Sequence, residues 1–141
     1  MLKEFENCLK LRRLVSYNID FGLVTKELKE SELDLENAEN SLKEKSYKWA
    51  TVQAYYSMFH AAKALILKAG YREKSHDCLL IALRELYESK GLIDKELIDL
   101  FEIVMNARED ADYGLVYSEN IALEAVGAAK NFLNNAKKLL K

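Results

Sequence analysis

Proline is absent from this 141-residue chain, and glycine occurs five times. The two residues that most often interrupt helices are thus missing or scarce, which favours an all-α fold and argues against a turn-rich β-sandwich. Charge of one sign is also lacking. The 21 Lys and Arg against 23 Asp and Glu leave a formal net charge of −2, so no global positive field draws in nucleic acid, and any such contact is local. No apolar run reaches the roughly 18–20 residues of a membrane span, since Lys63, Lys68 and Arg72 interrupt the longest one. Cysteines number two, Cys8 and Cys78. With no signal-peptide pattern at the start, free thiols in a reducing cytoplasm are expected rather than a disulfide framework. Glycine-rich phosphate loops, a G-x-S-x-G elbow and a C-x-x-C pair are all missing, which disfavours most familiar enzyme classes.

What is present is a globular balance: half the residues are hydrophobic and 31% are charged. The length suits one domain, 1–141, with residues 1–19 as an N-terminal helical extension. Gly70, Gly91 and Gly114 each follow a helix-periodic segment, where glycine closes a helix. Ser75, Asp94 and Ser118 follow as helix-starting caps. Helices are accordingly expected at 2–16, 20–45, 47–69, 76–89, 94–112 and 118–140, forming an antiparallel up-and-down bundle of five to six helices. The second helix carries a narrow apolar seam, Val24, Leu28, Ser31, Leu35, Ala38 and Leu42, with Glu27 and Asp34 among the residues assigned to its outer faces. The third is apolar around most of its circumference, from Trp49 to Ile66, and reads as the central helix. The last presents Ala125, Ala129, Phe132, Ala136 and Leu139 on one face, small residues that permit close approach.

Polar residues on apolar faces carry the functional information, because an unpaired buried charge is costly. Arg108 falls in the middle of the stripe Leu97, Phe101, Val104 and Ala111. Asp112 follows one turn later as an i,i+4 partner, with Tyr113 beside it. Two readings fit this position: a structural ion pair at a subunit contact or bundle mouth, and a phosphate or nucleotide site served by the planar guanidinium fork. On the central helix Gln53, Ser57 and His60 line one face, and His76 follows Ser75 at a helix start. Each histidine reads either as a hydrogen-bonded structural residue or as a ligand contact. Neither has a histidine or carboxylate at i,i+4, so no metal or other cofactor is expected. The basic clusters Arg12-Arg13 and Lys137, Lys138 and Lys141 read as solvated ends.

The run Ala54-Tyr55-Tyr56-Ser57-Met58-Phe59-His60-Ala61-Ala62-Lys63-Ala64-Leu65, then Gly70, then Ser75-His76, and finally Arg108-Glu109-Asp110-Ala111-Asp112-Tyr113, together resemble the HEPN superfamily, in particular its small stand-alone members in archaea and bacteria. The resemblance covers roughly residues 20 to 140. It implies an antiparallel helical bundle that commonly forms a homodimer, often with a minimal nucleotidyltransferase partner, the two sometimes making a toxin–antitoxin system. Many members are metal-independent ribonucleases with an arginine, four to six residues of any type, and a histidine near the dimer interface. Arg108 occupies the arginine position, but the three possible histidine positions hold Tyr113, Gly114 and Leu115. The usual general acid/base is therefore missing. Imidazole, with a pKa of about 6.5, exchanges protons with a ribose hydroxyl near neutrality far more readily than a phenol of about 10, and loss of such a group costs ~10²–10⁴ in rate.

Three functions follow. The first is a dimeric binding module for a nucleotide, an RNA phosphate or a nucleotidyltransferase, using Arg108 with Asp112 and Tyr113, and with Tyr56, His60, Ser75 and His76 as further binding candidates. The second is a divergent endoribonuclease acting on single-stranded RNA, with Arg108, Asp112 and Tyr113 as its catalytic set and Tyr113, or His60 or His76 if the fold brings one near Arg108, moving the proton. The third is a dimeric scaffold oriented by Arg108 and Asp112.

Overall fold

The protein, described here as a computed structural model, is resolved over residues 2–112 and 118–141, with the helical backbone alone described for 109–112. Its elements run α1 (Leu2–Lys10), β1 (Leu14–Ser16), α2 (Phe21–Lys43), α3 (Tyr47–Lys68), β2 (Tyr71–Glu73), α4 (His76–Leu83), α5 (Lys95–Asp112) and α6 (Glu119–Leu139). The helical bundle expected from the sequence is the observed architecture.

The apolar periods place the helices. The α2 seam is buried at Val24, Ser31 and Ala38 and half-buried at Leu28, Leu35 and Leu42, and it packs along α3 as an antiparallel hairpin. α3 is central: α2, α4, α5, α6 and β2 all pack on it, so an apolar surface around most of the helix is covered rather than exposed. Trp49 departs from that expectation. It is 54% exposed, although Ala50 and Thr51 beside it are fully buried. On α6, Ala125, Ala129, Phe132 and Ala136 are all buried, the alanines letting the helix approach closely while Phe132 meets Phe101 of α5 at a centroid distance of 5.5 Å.

Helix ends follow local chemistry. Asp20, Ser75 and Ser118 accept from the backbone N–H of Leu23, Cys78 and Ile121, each satisfying an orphan amide of a new helix. Gly70 and Gly91 adopt φ of 93° and 70°, the left-handed conformation that glycine adopts without a Cβ clash. The cap expected at Gly114 lies outside the described residues. After Leu83, α4 continues as one π-helical turn, Arg84–Glu88, from which the Tyr87 hydroxyl donates to the buried Leu65 carbonyl at 2.6 Å.

Two expectations are corrected at the N-terminus. The first helix does not reach residue 16. Arg12 takes φ of 58°, ending the helical path, and Leu14–Ser16 pairs antiparallel with Tyr71–Glu73. Three-residue strands are too short to show a twofold period in sequence. The cysteines are not free thiols: Cys8 and Cys78 form a disulfide across 70 positions, with their Cα atoms 5.8 Å apart. The cause is that α1 lies on α4, bringing together two small buried side chains that sequence separation kept out of view. The same clasp places Phe5 edge-on to Tyr71, with centroids 5.6 Å apart. No helix among the described residues is long and apolar enough to cross a membrane.

Candidate functional site

The outward strip of α3 carries Tyr56, Phe59, His60 and Lys63, flanked by α2 on one side, α5 on the other, and the β2–α4 elbow at its far end. Two connected clusters occupy it. The first is built on Tyr55, one residue further into the bundle and fully buried. The Arg108 guanidinium stands over the Tyr55 ring, with Cζ 4.7 Å from its centroid, and 5.9 Å from that of Tyr56. Its Nη1 lies 3.4 Å from the Tyr56 hydroxyl, a long contact, so ring-face attraction is the stronger tie. Arg108 is half-buried and its Nε is buried. The helical phase that turned Arg108 inward is thus observed.

His76 joins the same tyrosine at its hydroxyl. Its Nδ1 is 2.5 Å from the Tyr55 hydroxyl, and its ring stacks on Phe59 with centroids 4.5 Å apart and planes 27° apart. Ser75 sets the backbone here: its Oγ accepts from the Cys78 N–H at 3.0 Å, so Ser75 caps α4 and thereby fixes where His76 leaves the chain. Arg108, Tyr56 and His76, remote in sequence, are therefore gathered around Tyr55.

The second cluster follows along the strip. His60 meets Phe59 edge-on at 5.5 Å and places Nδ1 2.6 Å from Glu27 Oε2, with Nε2 3.7 Å from Asp34 Oδ2. Lys63 stands 3.7 Å from Glu27 and 3.6 Å from Glu73, with Nζ 5.4 Å from the Phe59 centroid. Burial pushes the Glu27 carboxyl up, but the His60 hydrogen bond and the Lys63 charge outweigh it and hold the group below its ordinary value. At Asp34 and Glu73 burial prevails, and both carboxyls lie above theirs despite the opposing His60 and Lys63 charges. The sequence assigned Glu27 and Asp34 to outer faces. Glu27 is instead 9% exposed and Asp34 half-buried, because both turn toward the polar residues of α3.

Those polar residues explain one another. Gln53, Ser57 and His60 all face α2: the Gln53 amide lies 2.6 Å from Ser41 Oγ, and Ser31 and Ser57 each donate to the other's backbone carbonyl, at 2.6 and 2.9 Å. The stripe zips the α2–α3 hairpin and satisfies its own buried groups. Only its last member, His60, reaches the candidate site. The Asp112 side chain and Tyr113 lie outside the described residues. No group of three or more His, Cys, Asp or Glu side chains among the described residues is arranged to hold a metal ion.

Sequence reasoning missed Tyr55, Phe59, Glu27, Asp34 and Lys63 as site residues. Tyr55 and Phe59 read as core, which they also are. A signal for Glu27 was available, since it lies one turn before Ser31 at the edge of the α2 seam, where a carboxylate needs a partner.

Comparison with known proteins places the chain in a family. A family model described as HEPN domain matches residues 24–139. A UPF0332 protein of Archaeoglobus fulgidus is 30% identical over 112 residues, covering 78% of this chain and 89% of its own length. The Methanocaldococcus jannaschii protein named "Putative toxin MJ0142" is 30% identical over 115 residues, covering 80% of this chain and 78% of its own. A UPF0332 protein of Thermotoga maritima is 27% identical over 109 residues, covering 76% and 83%. The family match runs from the first turn of α2 to the end of α6, and the chain belongs to the HEPN family.

Proposed function

We propose that this HEPN-family chain is a dimeric binding module that takes a phosphate group, of a nucleotide or of RNA, on Arg108, and that it works with a minimal nucleotidyltransferase as half of a toxin–antitoxin pair. The observation that carries the reading is the convergence of Arg108, Tyr56 and His76 on one buried tyrosine. A guanidinium seated on aromatic faces keeps its charge and its planar donor fork, the features that recognise phosphate oxygens. Asp112 and Tyr113, next along the sequence, complete the residue set assigned to this site, with His60 at its margin. The toxin–antitoxin part draws on relatives named as toxins, "Putative toxin MJ0142" and "Putative toxin MJ0605".

Calorimetric titration with ATP and with a short single-stranded RNA tests the binding claim. Saturable binding that falls more than tenfold in Arg108→Ala supports it, and equal affinity in the two proteins contradicts it. Sedimentation of the chain alone and with a co-expressed nucleotidyltransferase tests the dimer and the partner, and a monomer that ignores the partner contradicts both.

A second reading, metal-independent cleavage of RNA, is favoured by one observation: His76 shares Tyr55 with Arg108, offering the imidazole that the sequence motif lacks at Tyr113. In that reaction the 2′-hydroxyl attacks the neighbouring phosphorus, the bond from phosphorus to the 5′-oxygen breaks to leave a 2′,3′-cyclic phosphate and a free 5′-hydroxyl, Arg108 stabilises the charge on the phosphorane, and His76 takes the 2′-hydroxyl proton and returns a proton to the leaving 5′-oxygen. Incubation of labelled RNA in chelator distinguishes the readings: cleavage abolished by both Arg108→Ala and His76→Ala indicates the enzyme, and intact RNA with the wild type excludes it.

A further inference from the structure

The β1–β2 ribbon has two unlike faces. Paired positions of an antiparallel ladder share a face, and successive positions alternate between faces. Leu14 and Tyr71 face inward: Leu14 is fully buried and Tyr71 packs edge-on against Phe5. Glu73, paired with Leu14 in the register, shares that face and stands 3.6 Å from Lys63. Val15 pairs with Arg72 on the opposite, outer face. The ladder continues past both ends, where the Lys74 N–H donates to the Arg13 carbonyl at 2.8 Å and the Tyr17 N–H to the Gly70 carbonyl at 2.9 Å.

Cations and aromatic rings alternate along this outer face. Arg13, Arg72 and Lys74 are exposed, and the Arg72 guanidinium lies over the Tyr17 ring with Cζ 5.3 Å from its centroid. A second pair of the same kind follows at the start of α2, where Lys68 Nζ is 5.3 Å from the Phe21 centroid. Gly70 brings no side chain to its partner Tyr17, and Tyr17, Ile19, Phe21 and Gly70 line one open hollow of about 980 Å³. Phe21 is 63% exposed and Ile19 48%, so the fold leaves this apolar surface uncovered. Among the described residues, no carboxylate lies within 4 Å of Arg13, Lys68, Arg72 or Lys74. Glu73 is on the other face with Lys63, and Asp20, the acid at the hollow, accepts from the Leu23 N–H as the α2 cap. Like charges gathered without counter-charges repel, so the strip adds nothing to the stability of a chain whose net charge is −2.

We propose that this outer face binds single-stranded nucleic acid, with Arg13, Lys74, Arg72 and Lys68 holding phosphates and Tyr17 and Phe21 stacking bases that enter the hollow. Cations that track a backbone, interleaved with rings that offer a stacking face to any base, take up a single strand without reading its sequence. A ring already under a guanidinium or ammonium keeps base and phosphate contacts side by side. The concave hollow admits a base, whereas a bilayer surface needs a protruding apolar face. The site is separate from the phosphate reading at Arg108: Arg13, Tyr17 and Phe21 precede residue 24, where the family match begins, and Arg72 faces away from the Glu73–Lys63 cluster.

Fluorescence anisotropy of the full chain with a short labelled oligouridylate, and with oligothymidylate of the same length, tests the assignment and tells RNA from DNA. In the double variant Arg72→Ala/Lys74→Ala the affinity is expected to fall at least tenfold. The slope of log affinity against log salt concentration shrinks by about 1.4, the counterions of two single-strand phosphate contacts. In Phe21→Ala the affinity falls fivefold or more with the slope unchanged, since a stacking face is lost without a charge. These side chains are exposed, and Arg13→Ala, at the far end of the strip, gives a loss of the same kind should either variant fail to fold. Photo-cross-linking with 4-thiouridine in the RNA places the adduct on the peptide holding Tyr17 and Phe21, in the wild type and in Arg108→Ala alike. No binding of either oligonucleotide, affinity unchanged in the ribbon variants, or adducts confined to other peptides overturns the proposal. Binding of phosphatidylserine vesicles that the ribbon variants lose, with no oligonucleotide bound, overturns it in favour of a membrane surface. Failure to bind ATP with the ribbon adduct intact counts against the Arg108 reading alone.

Discussion

Arg108 and Tyr55 lie 53 residues apart in sequence, yet the guanidinium carbon stands 4.7 Å above the phenol ring. A cation over a ring face within about 6 Å is attracted by the ring quadrupole, by about 0.5–2 kcal/mol depending on desolvation. The attraction belongs to the planar ion as much as to its charge. Arg108→Lys, which keeps charge but loses the plane and the fork, is therefore expected to lower ATP affinity about three- to tenfold, less than the loss in Arg108→Ala. Calorimetry on the two variants side by side checks the order, and a lysine variant equal to the wild type would show that only charge matters.

The disulfide fastens the N-terminal clasp to α4. Closing a loop over 70 positions restricts the unfolded chain, by about 4 kcal/mol in the chain-entropy account. Cys8→Ser, or treatment with a dithiol reductant, is expected to lower the urea midpoint by that amount of stability. Alkylation without reductant should label neither cysteine. Labelling of both in the native, unreduced protein would show that the bond does not form.

Glu27 links stability to acidity. Its carboxyl lies below the ordinary value in the folded state, so between its folded and unfolded pKa values the unfolded chain binds more protons and stability rises with pH. The contribution is complete above the ordinary carboxylate range and is lost as pH falls through the depressed native value. Asp34 and Glu73, both raised, act in the opposite sense, costing stability once they ionise. Glu27→Gln is expected to be about 1.5–3 kcal/mol less stable than the wild type at pH 7, the scale of a hydrogen bond to a charged group, with the gap narrowing toward pH 3. Urea denaturation at several pH values reads it, and a gap constant with pH would remove the carboxylate from the explanation.

Tyr87 gives a control away from the site. Burial pushes its phenol up to about 12, and its hydroxyl donates to the Leu65 carbonyl. Tyr87→Phe is expected to cost about 0.5–1.5 kcal/mol, leave ATP binding unchanged, and leave the tyrosinate absorbance below pH 11 as in the wild type. A loss of tyrosinate signal in that range would show that Tyr87 ionises as an exposed phenol does.

These outcomes bear on what a sequence discloses. The bundle was legible because its signals are local: Ala125, Ala129, Phe132 and Ala136 repeat at helical spacing, and Ser75 and Ser118 cap the helices that follow them. The inward phase of Arg108 was legible for the same reason. The partner of a buried group is not local. Nothing near Cys8 indicates Cys78, and nothing near His60 indicates Glu27, since both pairs are made by helix packing. β1 and β2 were hidden because three residues carry no period, and the left-handed turn at Arg12 that releases β1 from α1 has no glycine to mark it. Tyr55 was hidden in another way, since a residue that packs like phenylalanine reads as core until its hydroxyl is seen to reach His76.

The central claim is that Arg108 and His76 act on one ligand around Tyr55. Titration of ATP into the wild type and into Arg108→Ala, followed through the His76 ring resonances, tests it most directly. Saturable movement of those resonances in the wild type, absent at the same ATP concentrations in Arg108→Ala, is the predicted result. Identical movement in both proteins, or movement confined to residues away from Tyr55, would contradict it.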